Sequence, residues 1–410
     1  MKKLQSNYNF YKLLIANTIS RVGDSIDMLA FSWLIYEITG KASWSAIIVG
    51  INQGCSVILQ PLIGSYVERL NKRKTMIITD YARFFSIVLL YIIYKMELCN
   101  KTVLVTFTAA ISFIETFRIP AGVAIIPQIL DREKYDKGIS MNNGLSRFSE
   151  FIGMFIAGVL IKFIGSISAI LIDGFTFLAS AMIIQTIKIA DTEIEVKNRK
   201  NVITEMFDGF RLLIRNKELL LICLICALIN AVVIPYDVLL PALIKGYFDA
   251  EPLFLTIFNI VFSLGMIIGA FAYGLIKIKE QRKSSLFIVG GFIIGVFYIA
   301  ISFIINFDMY VLIKGFHMCS QLLLVGIAIA IMNSYVQVYF VKNVKQEYLA
   351  RISSISTSIT MVGAPIASFI LAYASRQFGI IALLFGTGVI SLMLFGVTSI
   401  IFYNLRGSDD

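Results

Sequence analysis

Long apolar stretches recur along almost the whole chain and are separated by short polar segments. Each stretch has about 18 residues or more, enough for an α-helix to cross a hydrocarbon core roughly 30 Å thick. The pattern predicts six spans before a longer polar stretch and six after it. The predicted spans are 10–37, 43–66, 75–96, 102–128, 139–164, 166–188, 217–246, 252–277, 284–305, 309–339, 348–374 and 379–403.

The composition agrees with this pattern. Of 410 residues, 58% are apolar and 15% charged, whereas soluble globular domains have about 45–50% apolar and about 25% charged residues. Twelve spans of about 20 residues use nearly all of the apolar residues. The composition therefore excludes a large water-soluble catalytic domain, and it also excludes a disordered chain.

Basic residues alternate with the spans. If the N-terminus is cytoplasmic, the cytoplasmic segments contain 25 Lys and Arg residues and the outer segments contain 7. Membrane proteins concentrate these residues on the cytoplasmic side, so both termini are predicted to be cytoplasmic. The same bias explains the net charge of +10 without a nucleic-acid partner. Arg21 and Asp24 interrupt the first apolar run, which we therefore interpret as a span rather than a signal peptide.

The two halves of the chain form a repeat. A shift of 210 residues superposes Gly64 on Gly274, Lys72 and Arg73 on Arg282 and Lys283, and Asp27 on Asp237. Paired repeats are typical of transporters, whose substrate site lies between them. The sequence therefore predicts an all-α integral membrane protein with twelve transmembrane helices in two pseudo-symmetric six-helix bundles. The predicted domains are 1–188 and 217–410.

The polar stretch 189–216 is predicted to be a cytoplasmic linker. Its second part has the periodicity of an amphipathic helix lying on the inner membrane surface. The residues assigned to one apolar face are Ile203, Phe207, Phe210, Leu213 and Ile214.

Four arginines lie inside predicted spans, and each has a carboxylate three residues away. Residues three apart share a helix face, so each pair can form a local ion pair. Charges at membrane depth are also functional candidates, and for each pair the structural and functional interpretations stay open. The pairs are Arg21 with Asp24, Arg83 with Asp80, Arg118 with Glu115, and Arg147 with Glu150.

The first span has a polar stripe at helical spacing, formed by Asn17, Ser20, Arg21, Asp24 and Asp27. Such a stripe cannot face lipid and must face other helices or water. Two carboxylates that share one arginine favour proton binding by one of them. The candidates for proton coupling are Asp24, Asp27 and, in the fifth span, Glu150.

Other polar residues inside spans lack a local partner. Asp173 and Asp237 have no basic residue within four positions, so each must be neutral, paired across helices or in contact with water. His317 shares a helix side with Gln321. It is either a packed, hydrogen-bonded group or a proton relay. Pro235 lies two residues before Asp237 and predicts a kink in the seventh span.

The segment GSYVERLNKRK, Gly64–Lys74, resembles the signature loop between spans 2 and 3 of the major facilitator superfamily. Glu68 replaces the commoner Asp, and Asn71 replaces the commoner second Gly. Gly64 permits close helix approach, and the charges can hold the cytoplasmic side closed. The residues that the resemblance assigns to this gate are Gly64, Glu68, Arg69, Lys72, Arg73, Asp80 and Arg83.

Further segments, including RVGDSIDMLAFSWLIYEITGKAS and LIDGFTFLASA, resemble the branch of this family that contains macrolide-efflux proteins and the enterobactin exporter. The resemblance implies alternating access, usually with proton antiport, and a cavity lined by spans 1, 4, 7 and 10. The fifth span lacks the Gly-Pro motif of many drug antiporters. The implied cavity residues are Arg21, Glu115, Arg118, Asp237, His317 and Gln321.

The leading hypothesis is a proton-coupled exporter of amphipathic small molecules in the bacterial cytoplasmic membrane. Its expected partners are the substrate, protons and membrane lipid, and we expect a monomer with no cofactor or metal. An exporter or flippase of a lipid, peptide or siderophore without firm proton coupling is the alternative, and a non-transporting membrane sensor is a third. The chain has no H-E-x-x-H or G-x-S-x-G motif, so the sequence gives no support to an enzyme.

Overall fold

The computed structural model describes residues 2–40, 42–188, 201–248, 252–275, 285–305, 310–374 and 377–406. All regular structure within these residues is helical. The helices are α1 (Lys2–Thr39), α2 (Ala42–Val67), α3 (Lys72–Lys95), α4 (Lys101–Ala124), α5 (Ile126–Ile129), α6 (Tyr135–Ile164), α7 (Ser166–Gln185), α8 (Val202–Arg215), α9 (Lys217–Tyr247), α10 (Pro252–Leu275), α11 (Ser285–Ile304), α12 (Val311–Asn343), α13 (Leu349–Ala374) and α14 (Ile380–Arg406), with a 3₁₀ turn at Arg132–Lys134.

The all-α membrane fold predicted from the sequence is confirmed. A long helix occupies each predicted span in the described part of the chain. Eight described helices are long and apolar enough to cross a membrane: α3, α4, α7, α9, α10, α11, α12 and α14. α1 is less apolar because Arg21, Asp24 and Asp27 lie in its middle.

The described residues divide into two compact units. The first contains Met1–Gly138, Leu145–Lys217 and Val338–Ser358, and the second contains Ile139–Gly144, Glu218–Gln337 and Ile359–Asp410. In the first unit, α1 packs against α2, α4 and α7, and α3 packs against α4 and α7. A buried core that includes Ile26, Leu34, Ile87, Leu104 and Phe177 joins these helices. Charged side chains of α1 and α3 are therefore held among neighbouring helices.

In the second unit, α11 contacts α9 beside the proline that predicted a kink. The Tyr298 hydroxyl donates to the carbonyl of Val232 at 2.8 Å and accepts from the backbone N–H of Tyr236 at 3.1 Å. Pro235 has no N–H to donate within α9. The hydroxyl thus bridges a turn of α9 next to Pro235. Arg282 and Lys283, the counterparts of Lys72 and Arg73 in the repeat, lie outside the described residues.

The predicted amphipathic helix is α8, and one of its residues was placed on the wrong face. Leu213 is buried, together with Gly209 one turn before it and Glu205 two turns before it. Ile203, Phe207 and Ile214 are exposed. Leu213 shares the four-residue spacing of Glu205 and Gly209, which is the face packed against the protein. The exposed apolar residues form a separate stripe.

Candidate functional site

Arg83 of α3 is the most deeply buried basic side chain described in the first unit. It is 2% exposed, and its Nη2 lies 2.7 Å from Oδ1 of Asp24 on α1. Its guanidinium lies over the ring of Phe177, with Cζ 3.6 Å from the ring centroid. Nε and Nη1 have no hydrogen-bond partner within the described residues. The arginine therefore joins α1, α3 and α7 through one ion pair and one aromatic contact.

A second buried pair joins α3 to α4. Arg118 Nε lies 2.6 Å from Oδ1 of Asp80, whose side chain is fully buried. Ser180 of α7 donates to the other oxygen of Asp80 at 2.7 Å. Arg118 Nη2 donates to Asn17 of α1 at 3.3 Å. The Asp80 carboxylate is thus satisfied by partners from two other helices.

Two of the four predicted local ion pairs are present, and two are wrong. Arg147 and Glu150 pair at 2.8 Å, and Arg21 and Asp24 at 3.7 Å. Arginine side chains are long enough to reach a neighbouring helix, and a buried carboxylate needs several hydrogen bonds that its own helix cannot supply. The predicted pairs of Arg83 with Asp80 and of Arg118 with Glu115 are therefore replaced by the interhelical pairs of Arg83 with Asp24 and of Arg118 with Asp80.

Three carboxyl groups in the interior of α1, α4 and α7 have no arginine or lysine at ion-pair distance in the described part of the chain. They are Asp27, Glu115 and Asp173. The electrostatic surroundings of Glu115 include both Arg83 and Arg21. Asp173 is fully buried, and the sequence marked it only as a residue without a local partner. The interior of α1, α3, α4 and α7 thus combines five carboxyl groups with three arginines.

A small cavity opens between α1, α2 and α4 of the first unit. Its polar lining includes Asp27, Asn52, Thr108 and Ser112, and its apolar lining includes Phe31. Asn52 Nδ2 donates to Ser112 Oγ at 3.1 Å. The buried Thr108 hydroxyl has no partner within the described residues. The polar side of this cavity can hold water.

The remaining cavity and coupling candidates are Glu150, His317, Gln321 and Asp237. Glu150 is paired with Arg147 on its own helix, with 30% of its side chain exposed. His317 Nδ1 and Gln321 Nε2 lie 3.3 Å apart on α12, which agrees with their predicted shared side. The side chain of Asp237 lies outside the described part of the chain.

The loop between α2 and α3 contacts the segment Val338–Ser358, which belongs to the same unit. Glu68 forms an ion pair with Arg351 and also accepts from its backbone N–H at 3.1 Å. Arg69 pairs with Glu205 of α8 at 2.9 Å, and Glu205 lies 3.6 Å from Arg351. These four side chains, here called the loop cluster, connect the loop to α8 and α13. Glu205 and Arg351 were not predicted as functional residues from the sequence.

Gly64 permits the close approach of α2 to the start of α13. A Cβ at this position would lie 2.3 Å from Ser354 Oγ and 2.8 Å from the carbonyl oxygen of Ala350. Lys72 Nζ donates to the carbonyls of Glu68 and Leu70 at 2.8 and 2.9 Å. These contacts hold the loop in a fixed path against α13.

The start of α3 is fixed by two further residues of the signature loop. The side chain of Asn71 accepts from the backbone N–H of Lys74 at 3.0 Å, so it caps α3. Arg73 Nε donates to the carbonyl of Ile184 at 3.3 Å. Asp80 and Arg83, grouped with this loop by the resemblance, instead lie in the buried network described above.

Burial raises the pKa of Glu68 to about 7 although Arg351 acts in the opposite direction. A carboxyl group whose pKa is higher when packed binds its proton more tightly in the packed state. Packing at this loop is therefore favoured at low pH and weakens as the pH rises from the ordinary value of a glutamate through about 7. The loop cluster responds to pH in the opposite sense to an ion pair whose carboxylate has a lowered pKa.

The chain is similar in sequence to known efflux proteins. The chain is 24% identical over 374 residues to macrolide efflux protein A of Streptococcus pyogenes, and the match covers 90% of each chain. It is 20% identical over 283 residues to the multidrug efflux pump Tap of Mycolicibacterium fortuitum, covering 67% of this chain and 68% of the pump.

Solved structures show the same fold. A bacterial homologue of the iron transporter ferroportin in an outward-facing state superposes with a TM-score of 0.76 at 15% identity, covering 97% of this chain and 99% of that one. The E. coli fucose:proton symporter superposes with a TM-score of 0.70 at 13% identity, covering 95% and 99%. The family model described as Major Facilitator Superfamily matches residues 13–368. The chain belongs to the major facilitator superfamily.

Proposed function

We propose that this protein exports amphipathic small molecules by alternating access and that export is coupled to proton entry. The family and the efflux relatives support transport. The observation that carries the coupling is the buried network of α1, α3, α4 and α7, in which carboxyl groups outnumber arginines by five to three. We place the protein in the bacterial cytoplasmic membrane, as a monomer with both termini in the cytoplasm.

The excess of carboxyl groups favours proton binding for an electrostatic reason. Asp24 and Asp80 each have an arginine at 2.7 Å or less, so both can remain ionised. An additional ionised carboxylate at membrane depth costs several kcal/mol unless it is paired or hydrated. Protonation removes that cost. Proton uptake by the network is therefore energetically favourable, and we propose that it takes up protons from one side of the membrane and releases them to the other.

Release and re-formation of the loop cluster suits an alternating-access cycle. Glu68 and Arg351 bring together the α2–α3 loop and the start of α13, which are 283 positions apart in the sequence. These contacts are charged and lie at helix ends, so water can solvate the partners when they separate. We propose that they stabilise one state of the cycle and break in the other.

An accumulation assay tests the proposed export. In a bacterial host that lacks its own efflux pumps, expression of the chain is expected to lower the accumulation of erythromycin or ethidium several-fold, and a protonophore should abolish the difference. The Asp27→Asn variant should no longer lower accumulation, because it removes one of the carboxyl groups that have no arginine or lysine at ion-pair distance. Asp131→Asn is the matched control, since Asp131 pairs with Lys134 at the surface.

Equal accumulation with and without the chain, across chemically varied amphipathic compounds, would contradict export of this substrate class. Export that is insensitive to the protonophore and unchanged in Asp27→Asn would contradict the coupling alone. The expression level of each variant in the membrane fraction is measured alongside, so that loss of protein is not counted as loss of export.

A further inference from the structure

Asp173 lies in direct contact with the polar stripe of α1. A Cβ on Gly23 would lie 2.1 Å from Oδ1 of Asp173, so the carboxyl group of α7 is packed against the α1 backbone. Asp27 follows Gly23 by four residues, one helical turn, on the same face of α1. The carboxyl groups of Asp27 and Asp173 are within hydrogen-bonding distance of each other.

Two carboxyl groups in contact need a proton between them. A carboxylate only accepts hydrogen bonds, so a bond between two carboxyl groups requires that one of them be protonated and donate. Like charges at this separation cannot both remain ionised in a site sheltered from water. Oδ1 of Asp27 and Oδ2 of Asp173 are buried and accept no hydrogen bond from any described donor, and Asp173 is fully buried.

The charged groups around the pair come from three helices. Arg83 of α3, Asp24 of α1 and Glu115 of α4 surround Asp27 electrostatically, and Arg83 and Asp24 also act on Asp173. Arg83 is already paired with Asp24 at 2.7 Å. Arg83 can therefore stabilise one negative charge shared by Asp27 and Asp173, but it cannot neutralise two. Thr176 donates to Oδ1 of Asp173 at 3.2 Å and fixes that oxygen.

Asp27 also gives the pair a path to water. It lines the cavity between α1, α2 and α4 with Asn52, Thr108 and Ser112, whereas Asp173 is fully buried. A proton from cavity water can form an O–H bond with Asp27 and be shared with Asp173. Release reverses the step and returns the proton to water.

We propose that Asp27 and Asp173 form a carboxyl–carboxylate pair that holds one exchangeable proton between α1 and α7, and that this is the proton exchanged during transport. The transport role rests on the proposed function, but the shared proton does not. The pair assigns Asp173 to the coupling machinery. It also separates Asp27 from Asp24 and Glu150, which are held by arginines.

Infrared difference spectroscopy on the purified full chain tests the shared proton, with the C=O stretch of a protonated carboxylic acid as the signal. At neutral pH, Asp27→Asn and Asp173→Asn are each expected to remove the same band at its full amplitude, because either substitution leaves one ionised carboxylate beside Arg83. Glu150→Gln, which removes a carboxylate already paired with Arg147, is the control and should retain the band.

Two independently protonated acids give a different result, in which each variant removes only its own part of the signal. That outcome overturns the pair, as does the absence of the band from the native protein. Should an asparagine variant fail to fold, Thr176→Val is used instead. It is expected to shift the band because it removes a hydrogen bond from Asp173, and an unshifted band overturns the assignment.

Transport is measured separately, in liposomes with ethidium as the probe. Loss of the band together with unchanged proton coupling in Asp173→Asn overturns the transport role. Absence of export by the native protein, with the band behaving as predicted, contradicts the proposed function and leaves the proton site in place.

Discussion

Replacing Arg83 with glutamine is expected to lower the free energy of unfolding by about 3–5 kcal/mol, the usual cost of breaking a buried ion pair from one side. The substitution leaves Asp24 without its closest cation and removes the contact with the Phe177 ring. Unfolding of the purified variant in detergent, followed by circular dichroism or tryptophan fluorescence, measures the loss.

The matched control is Arg147→Gln, whose pair with Glu150 is partly exposed. Pairs of that kind contribute about 0–1 kcal/mol. Adding Asp24→Asn to Arg83→Gln is expected to recover part of the loss, because the unpaired buried charge is then removed. Equal effects of Arg83→Gln and Arg147→Gln would show that the buried network does not stabilise the fold as described.

Replacing Arg351 with methionine is expected to accelerate amide hydrogen exchange about 100-fold in the segment Val338–Ser358 at alkaline pH, corresponding to about 3 kcal/mol. The substitution leaves Glu68 and Glu205 close together without Arg351 between them. Exchange followed by mass spectrometry resolves this segment from the rest of the chain. The effect should shrink below pH 7, because burial raises the pKa of Glu68 to about 7 and the protonated group tolerates the loss of its partner.

Adding Glu68→Gln to Arg351→Met should restore most of the protection from exchange, since the side chain at position 68 is then neutral. Arg211→Gln is the control, because Arg211 lies on α8 and is paired with Asp208 at the surface. If Arg351→Met exchanges no faster than Arg211→Gln, the loop cluster does not hold this segment.

The helices could be predicted from the sequence because each apolar run is by itself long enough to indicate a membrane-spanning helix. The charged stripe of α1 could also be predicted, since residues three or four apart on a helix share a face whatever surrounds them. Asn71, which departs from the family pattern, has a local explanation as the cap of α3. These features depend on neighbours in the chain, which a single sequence contains.

The partners of the charged side chains could not be predicted, because they lie on other helices. Arg83 and Arg118 each had a carboxylate at the right local spacing, but both pair across helices. Glu205 and Arg351 had no local signal, and Asp173 was visible only as a charge without a partner. Interhelical contacts depend on helix packing and rotation, which hydrophobic periodicity does not define to the level of one side chain.

Proton movement in reconstituted liposomes is the most direct test of coupled export. With an imposed pH gradient and a pH-sensitive dye inside the vesicles, addition of ethidium or erythromycin is expected to drive protons opposite to the compound. Asp27→Asn should abolish this movement, whereas Asp131→Asn should retain it. Compound transport at the same rate with and without the gradient, with no proton flux in the native protein, would contradict the account.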